Sequence, residues 1–64
     1  STLVNINSAT ADELSQLPGI GKVKAENIVA YRNSAGKFSD ISEIVNVSGI
    51  GSSIYENIKD LIRV

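Results

Sequence analysis

The sequence predicts an all-α fold, a compact domain of four to five short helices made of two copies of one helix–turn–helix unit. First, the segment 17–21, Leu-Pro-Gly-Ile-Gly, recurs thirty residues later as Val-Ser-Gly-Ile-Gly. Second, when 10–34 is laid over 40–64, seven of the 25 pairs are identical. Third, apolar residues follow each Gly-Ile-Gly at helical spacing. Because an internal repeat sets the architecture, we predict one domain over 1–64, with repeats at about 10–34 and 40–64 and an extended lead-in at 1–9.

Length and composition restrict the classes to which this chain can belong. A 64-residue chain buries only about 60% of its unfolded surface, and this one has no cysteine or histidine for a disulfide or a zinc cluster. Its hydrophobic content of 42% is ordinary for a globular domain, and its apolar runs are too short for a membrane span. No signal peptide is visible. Since the sequence begins without Met, we expect it to be a domain of a longer protein. We expect that this domain itself makes no membrane contact.

The charges are unevenly distributed. The net charge of −1 and the isoelectric point of about 5.1 differ from those of a strongly basic nucleic-acid-binding protein. Residues 1–17 carry a net charge of −2, residues 18–37 one of +3 and residues 38–64 one of −2. The positive charges of the middle part are Lys22, Lys24, Arg32 and Lys37. They form a local patch beside the first bend and on the helix behind it.

The first repeat follows an extended segment. Residues 3–7 read as an extended segment in which Val4 and Ile6 alternate with polar residues. With no second strand to pair with, we expect this segment to pack along the helices. Thr10 and Glu13 fit a capping box at the start of a first helix, predicted at about 11–17. Pro18 helps to end this helix, since the residue before proline disfavours helical backbone.

Three further helices are predicted along the chain. The second runs from about 22 to 33, with Gly36 just beyond its end. A second capping box at 40–43 starts the third helix, at about 41–46, and the fourth covers about 52–62. The four helices are expected to share one core, formed by Leu14, Leu17, Ile20, Ile28, Phe38, Ile44, Val47, Ile50, Ile54, Ile58 and Leu61.

The first bend has the chemistry of a phosphate site. Gly19 and Gly21 can adopt positive φ or lie close to another molecule without a clash, and the isoleucine between them can turn into the core. The amides of both glycines, Val23 and Lys24 then lie near a helix start, where N–H groups lack partners and the dipole adds positive charge. Such groups suit a phosphate oxygen, and Lys22 and Lys24 stand beside them as mobile cations. These contacts recognise the sugar–phosphate backbone and not the bases.

The second bend offers the same backbone donors, at Gly49, Gly51, Ser53 and Ile54, but Ser52 and Ser53 replace the lysines. Hydroxyl groups can donate to phosphate but add no long-range attraction, so we expect the first bend to bind more strongly. Two such bends, related by a pseudo-twofold axis, could hold the two strands of a duplex across a minor groove. The predicted DNA-binding residues are Gly19, Ile20, Gly21, Lys22, Val23, Lys24, Gly49, Ile50, Gly51, Ser52, Ser53 and Ile54.

Other polar and aromatic residues have structural interpretations. Asn27 and Asn57 recur in register, which indicates a shared task such as bonding to a hairpin carbonyl. Arg32 and Lys37 are weaker candidates for phosphate contacts than the two lysines at the bend. The aromatic residues are interpreted as core or edge residues: Tyr31, Phe38 and Tyr55. The acidic residues at helix starts are interpreted as caps and not as catalytic or metal-binding groups: Asp12, Glu13, Asp40 and Glu43.

These motifs together resemble a known family. Five segments have the order and spacing seen in the tandem helix-hairpin-helix domain of the ComEA-type competence DNA receptors: 4–14, 17–21, 30–32, 36–38 and 47–51. The resemblance covers nearly the whole chain. It implies a SAM-like all-α fold with two helix-hairpin-helix motifs that binds double-stranded DNA without sequence preference. It also implies the DNA-capture module of a bacterial uptake protein, tethered or periplasmic outside the cytoplasmic membrane, with other DNA-uptake proteins as further partners.

The resemblance also implies a cation site. Helix-hairpin-helix motifs can hold a monovalent cation, Na⁺ or K⁺, on carbonyl groups before and within the hairpin, and no cofactor is otherwise required. Carried over by position, the two alternative carbonyl sets are Ser15, Leu17 and Ile20, or Val45, Val47 and Ile50.

Two other functions stay open. A protein-interaction or scaffold module would use the same helices for docking, and the acidic second half suits that function. The DNA-positioning part of a repair protein would bring its hairpins to a catalytic domain elsewhere. Because the sequence contains no histidine and no evident nucleophile–base pair, we expect that this chain itself is not an enzyme.

Overall fold

The computed structural model describes residues 3–64, so Ser1 and Thr2 of the predicted lead-in lie outside the described residues. The elements in chain order are β1 (Val4–Asn5), α1 (Ala11–Leu14), α2 (Lys22–Ala35), a 3₁₀ helix (Ile41–Asn46), α3 (Ser52–Ile58) and β2 (Ile62–Arg63). They form a small, mostly helical body of 28 × 21 × 20 Å. Within residues 3–64, no helix has both the length and the apolar character needed to cross a membrane.

The two strands pair in parallel, with Val4 opposite Ile62. The N–H of Val4 donates to the carbonyl of Leu61, and the N–H of Ile6 donates to that of Arg63, both at 2.9 Å. The expectation that the lead-in has no strand to pair with is therefore wrong, and the fold is not purely α-helical. The physical reason is that an extended segment beside the core must find acceptors for its N–H groups, and the end of the chain supplies them.

Helix α3 ends at Ile58, although the sequence predicted a helix to about 62. The N–H of Lys59 still donates to Tyr55, but the N–H of Leu61 donates to the carbonyl of Ile58 at 2.8 Å, which closes a tighter turn into β2. This turn reverses the predicted burial at the chain end. Leu61, predicted in the core, is 41% exposed, while Ile62 is buried in the strand pair.

Helix α1 begins as predicted and ends earlier. The hydroxyl of Thr10 accepts the N–H of Glu13, and the carboxylate of Glu13 accepts the N–H of Thr10, which confirms the first capping box. The α-helix ends at Leu14, not at 17. The N–H of Leu17 donates to the carbonyl of Leu14 at 3.1 Å, because the chain tightens into a turn before Pro18.

The third helix has the predicted bounds, Ile41–Asn46, but it is a 3₁₀ helix. Its start also differs from the predicted capping box. The carboxylate of Asp40 accepts the N–H of Ser42 at 3.0 Å, and that of Glu43 accepts the N–H of Ser39 at 2.7 Å. In the tighter winding, the N–H two residues after Asp40 is the one within reach of its carboxylate.

Helix α2 runs two residues beyond its predicted end, to Ala35. Gly36 has φ +96° and its N–H donates to the carbonyl of Arg32 at 3.1 Å. The guanidinium of Arg32 in turn donates to the carbonyl of Ile6 at 2.9 Å. These bonds fix the end of the longest helix against the lead-in, so the orientation of α2 is set at the end opposite to the first bend.

One core joins the elements. Nine of the eleven predicted core residues are buried, whereas Ile54 is half-buried and Leu61 is exposed. Within residues 3–64, the core contains four residues that the sequence did not predict, two in or beside the strand pair and two alanines: Ile6, Ala9, Ala25 and Ile62. Residues thirty positions apart enter the core in pairs: Leu14 and Ile44, Leu17 and Val47, Ile20 and Ile50, and Ile28 and Ile58. Both bends are therefore anchored to the same packed interior.

Candidate nucleic-acid interface

The first hairpin, residues 17–21, joins α1 to α2. Gly19 has φ +78°, a left-handed conformation that glycine adopts without strain. The N–H of Ile20 donates to the carbonyl of Leu17 at 3.0 Å, and the Ile20 side chain is 2% exposed. The prediction that this isoleucine anchors the bend to the core is confirmed. Gly21 then returns to extended backbone as the N-cap residue of α2.

The second hairpin, residues 47–51, joins the 3₁₀ helix to α3 and has the same backbone geometry. Gly49 has φ +88°, and the N–H of Ile50 donates to the carbonyl of Val47 at 3.0 Å. The N-cap glycines also match, with φ −89° and ψ −175° at Gly21 and φ −100° and ψ −176° at Gly51. Two bends thirty residues apart thus present the same backbone to solvent.

Both hairpins have N–H groups that find no acceptor among residues 3–64. Gly21 and Gly51 have no side chain with which to cap α2 and α3, and all four hairpin glycines are exposed. The open amides include those predicted from the sequence, Gly19, Gly21, Val23 and Lys24 in the first hairpin region and Gly49, Gly51, Ser53 and Ile54 in the second, together with those of Lys22 and Ser52. Unpaired N–H groups at an exposed bend can donate to an anion. The longer α2, with 14 residues against 7 in α3, adds the larger dipole.

The two lysines of the first bend lie in different places. Lys22 is exposed beside the first hairpin, whereas Lys24 is half-buried. A methyl group placed on Gly49 would lie 3.6 Å from Cγ and 3.8 Å from Cε of Lys24. The aliphatic stem of Lys24 therefore lies across the second hairpin, although the sequence placed this lysine at the first.

The first hairpin has the reciprocal contact. A methyl group placed on Gly19 would lie 3.9 Å from Cγ1 of Ile54. Lys24 and Ile54 are equivalent positions of the repeat, each the third residue of its helix. Each left-handed glycine is thus covered by the helix that follows the other hairpin. The repeat alignment pairs these positions, but it cannot say which of them meet in space.

The recurring asparagines differ in their contacts. The side-chain amide of Asn27 donates to the carbonyl of Ser48 in the second hairpin at 3.1 Å. Asn57 is exposed and makes no side-chain hydrogen bond within the described part of the chain. The predicted bond to a hairpin carbonyl is confirmed for Asn27 and wrong for Asn57. What the sequence missed is that the carbonyl belongs to the other hairpin.

The remaining sequence candidates take mainly structural positions. Arg32 is engaged with a lead-in carbonyl, as described above, while Lys37 is exposed after α2. Phe38 is buried and stacks on Tyr31 with ring centroids 5.3 Å apart, and Tyr55 packs partly against the core. The prediction that the aromatic residues belong to the core or its edge is therefore confirmed.

The acidic residues lie at helix starts. Asp12 and Glu13 are in the first turn of α1. Hydrogen bonds from the hydroxyl and then the N–H of Ser42 lower the pKa of Asp40 below its ordinary value of 3.8. Among residues 3–64, no group of three acidic, histidine or cysteine side chains could hold a metal ion.

The carbonyl sets carried over for a monovalent cation lie along the two hairpins. The carbonyls of Leu17 and Val47 each accept one N–H, from Ile20 and Ile50, which leaves each oxygen a second lone pair. Main-chain carbonyl oxygens are suitable ligands for Na⁺ and K⁺. The donor chemistry therefore fits such an ion at either hairpin.

Comparisons with known proteins agree with this geometry. The family model described as helix-hairpin-helix motif matches residues 1–63. ComE operon protein 1 of Bacillus subtilis (strain 168) is 52% identical over 62 residues, which cover 97% of this chain and 30% of that protein. An uncharacterized protein of Haemophilus influenzae is 44% identical over 63 residues, covering 97% of this chain and 56% of that protein. These matches confirm the resemblance to the helix-hairpin-helix domain of the competence receptors that the sequence motifs indicated.

A third relative has a different name. Endonuclease/exonuclease/phosphatase family domain-containing protein 1 of Homo sapiens is 41% identical over 56 residues, covering 88% of this chain and 10% of that protein. The chain thus spans between a tenth and just over half of the length of these relatives.

Proposed function

This chain belongs to the helix-hairpin-helix family, and we propose that it binds double-stranded DNA without sequence preference through the backbone amides of its two Gly-Ile-Gly hairpins. The observation that carries the proposal is the pair of equivalent bends whose N–H groups have no acceptor within residues 3–64. A phosphate oxygen can accept two or three such donors at once. These N–H groups would contact only the sugar–phosphate backbone, which is the same for every base sequence.

A duplex has two phosphate backbones, so contact with both strands uses one hairpin for each. We infer that residues 10–34 and 40–64 are two copies of the helix-hairpin-helix motif related by a pseudo-twofold axis, with one hairpin for each strand. The similar φ values of +78° at Gly19 and +88° at Gly49, and the reciprocal contacts at these glycines, support this arrangement. The residues predicted from the sequence on and after the two hairpins are the proposed contacts.

The acidic net charge of −1 is compatible with such a site because the donors are main-chain dipoles. The residues predicted on and after the two hairpins include two full positive charges, Lys22 and Lys24, so the number of neutralised phosphates should be small. With three or four phosphates, the logarithm of the affinity should fall with the logarithm of salt at a slope of about −3, since each phosphate contributes about −0.9.

The biological setting follows from the resemblance to the competence receptors. We propose that the domain captures DNA for uptake outside the cytoplasmic membrane of a bacterium, next to other uptake proteins, and that it is not itself an enzyme. The 52% sequence identity to ComE operon protein 1, over 97% of this chain, supports this setting. The acidic residues support a non-catalytic role, since Glu13 and Asp40 are engaged in helix caps.

We also propose that a hairpin carbonyl set binds Na⁺ or K⁺ when DNA is present, since a phosphate beside the hairpin adds the negative charge that a cation needs. Amide shifts of Ile20 and Ile50 should respond to replacing K⁺ by choline at constant ionic strength in the complex. Equal spectra in both salts would contradict cation binding without affecting DNA binding.

The proposed function is tested by fluorescence anisotropy with a labelled random-sequence duplex. We expect the affinity to change little between AT-rich and GC-rich duplexes of equal length and to decrease with salt at the slope given above. A single strand of the same length should bind more weakly, since it cannot engage both hairpins in register. Failure to bind any duplex at low salt and high micromolar protein would exclude the proposal.

A protein-docking module is the second candidate function. It is favoured by three apolar side chains at and beside the strand pair, each about 40% exposed: Leu3, Leu61 and Val64. The variant Lys22→Glu with Lys24→Glu separates the candidates, since it should greatly weaken duplex binding and leave the fold intact. Its control, Lys59→Glu with Arg63→Glu, makes the same change in net charge at two residues outside the predicted contacts. Equal duplex binding by both variants would favour docking.

A further inference from the structure

The two hairpins differ in the charge that their own segments supply. The sequence from 47 to 54 contains no charged residue, so its own segment gives the second hairpin no cation. The side chain that covers Gly49 is nevertheless a lysine, whose Cγ and Cε both lie within 3.8 Å of a methyl group placed there. The ammonium of Lys24 is one bond beyond this Cε. The charge of Lys24 is therefore delivered beside the second hairpin.

A second contact holds the same face of α2 in place. Asn27 lies one helical turn after Lys24, so both side chains lie on one face of α2. Its amide donates to the carbonyl of Ser48 at 3.1 Å and also lies 3.9 Å from a methyl group placed on Gly49. Two side chains of one helix thus contact two successive residues of the second hairpin. These two contacts therefore fix the position of α2 relative to the second hairpin.

The first hairpin differs in this respect. The equivalent cover on Gly19 is Ile54, which adds no charge. Lys22 is exposed and adjoins the first hairpin in sequence. Lys22 thus adjoins the first hairpin in sequence, whereas the side chain of Lys24 contacts the second hairpin.

We propose that Lys24 is the phosphate-binding cation of the second hairpin, so that each hairpin engages its DNA strand with one lysine. This inference rests on the proposed function and assigns a residue within it. The stem of Lys24 is packed before DNA arrives, which reduces the side-chain entropy lost on binding. The two hairpins should then bind with nearly equal strength, in place of the stronger first bend that the sequence predicted.

The test uses Lys24→Met, which keeps an unbranched stem over Gly49 and removes the charge, with Lys22→Met as the matched control. Amide shifts of the ¹⁵N-labelled protein are followed during titration with a short random-sequence duplex. We expect Lys24→Met to lose most of the shift changes at Gly49, Gly51 and Ser53 and to keep those at the first hairpin. Lys22→Met should show the opposite pattern.

Three further measurements separate a charge effect from loss of packing. The salt slope should decrease by about 0.9 in each methionine variant, as expected for one lost phosphate contact. Lys24→Arg should restore both the slope and the shifts at the second hairpin. Ile54→Lys, which places a lysine over Gly19, should increase the shift changes at the first hairpin and the slope by a similar amount.

The outcomes distinguish this inference from the proposed function. If the duplex shifts the amides of neither hairpin in the unmodified chain, the proposed function fails and the inference fails with it. If the duplex shifts both sets, and Lys24→Met loses only those of the first hairpin or neither set, the inference alone fails. A loss confined to the second hairpin, with rescue by arginine, supports it.

Discussion

The two hairpins have nearly the same backbone and different surroundings. Residues 17–21 and 47–51 agree in their left-handed glycine, in the N–H donated by their isoleucine and in their uncapped N-cap glycine. They differ in the side chain that covers them, since an isoleucine lies over the first and a lysine over the second. They also differ in the bond from Asn27, which has no counterpart at Asn57 within the described residues. A repeated backbone therefore does not imply that the two hairpins have the same side-chain surroundings.

This difference shows what an internal repeat preserves. The residues shared at both hairpins are those that the bend itself needs, a left-handed glycine and a buried isoleucine. The residues that differ include Pro18 and Ser48 within the hairpins. They also include Lys24 and Ile54, which lie on the helices that contact the other hairpin. Function can thus diverge at the contacts between repeats while the bend is kept.

The largest expected effect tests the shared part of the comparison. Ile28 and Ile58 are equivalent and both 0% exposed, so Ile28→Ala and Ile58→Ala should each lower the free energy of unfolding by about 2–5 kcal/mol. Urea denaturation followed by circular dichroism measures this change. If either variant is unfolded, the corresponding valine variants should each lose about 0.5–1.5 kcal/mol. A large loss at one site only would disprove the equivalence.

The next effect concerns the glycines. Gly19→Ala and Gly49→Ala should each destabilise the fold by about 1–2 kcal/mol, because alanine is strained at φ +78° and +88°. The cost arises from the backbone, since the surrounding atoms lie at ordinary contact distances. Gly51→Ala is the control, with extended backbone and open space around it. Equal losses in all three variants would show that the left-handed conformation is not the cause.

A smaller effect tests the asymmetry. Asn27→Ala should lower the free energy of unfolding by about 1 kcal/mol, since it removes one hydrogen bond to the carbonyl of Ser48. Asn57→Ala is the matched control and should change it by less than about 0.5 kcal/mol, as expected at an exposed position. Thermal unfolding of both variants measures the difference. The reverse order would contradict the cross-hairpin bond.

The smallest effect concerns pH at the start of the 3₁₀ helix. Because hydrogen bonds from Ser42 lower the pKa of Asp40 in the folded state, its contribution to stability is complete above its ordinary value of 3.8. The contribution is lost as pH falls from 3.8 through the lower folded pKa. Urea unfolding at pH 5 and pH 3 should therefore show a smaller pH dependence for Asp40→Asn, whose amide oxygen still caps the helix. A dependence equal to that of the unmodified chain would exclude Asp40 as its source.

Much of this fold could be predicted because its signals are local. The first capping box, the bounds of the 3₁₀ helix and the burial of the hairpin isoleucines follow from residues within a few positions of each other. The strand pair could not be predicted, since Val4 and Ile62 are almost the whole chain apart and each strand has only two residues. The end of α3 was misjudged for the same reason, because the pairing of Ile62 with the lead-in outweighs its helical spacing.

The candidate site divides in the same way. The glycines, their exposed amides and the nearby lysines are evident from the chain, but the position of the Lys24 side chain over Gly49 is not. Contacts between repeats depend on the crossing of α2 with the second hairpin, which no local pattern specifies.

Local sequence specifies the two bends, since only glycine adopts positive φ at low cost and only an apolar residue between the glycines anchors the turn to the core. The tertiary structure alone decided which helix covers which bend, and so where the charge of Lys24 and the bond of Asn27 act. The two levels differ in the sequence distance over which they act. Backbone preferences act within a few residues, whereas side-chain contacts depend on how distant segments pack around the common core.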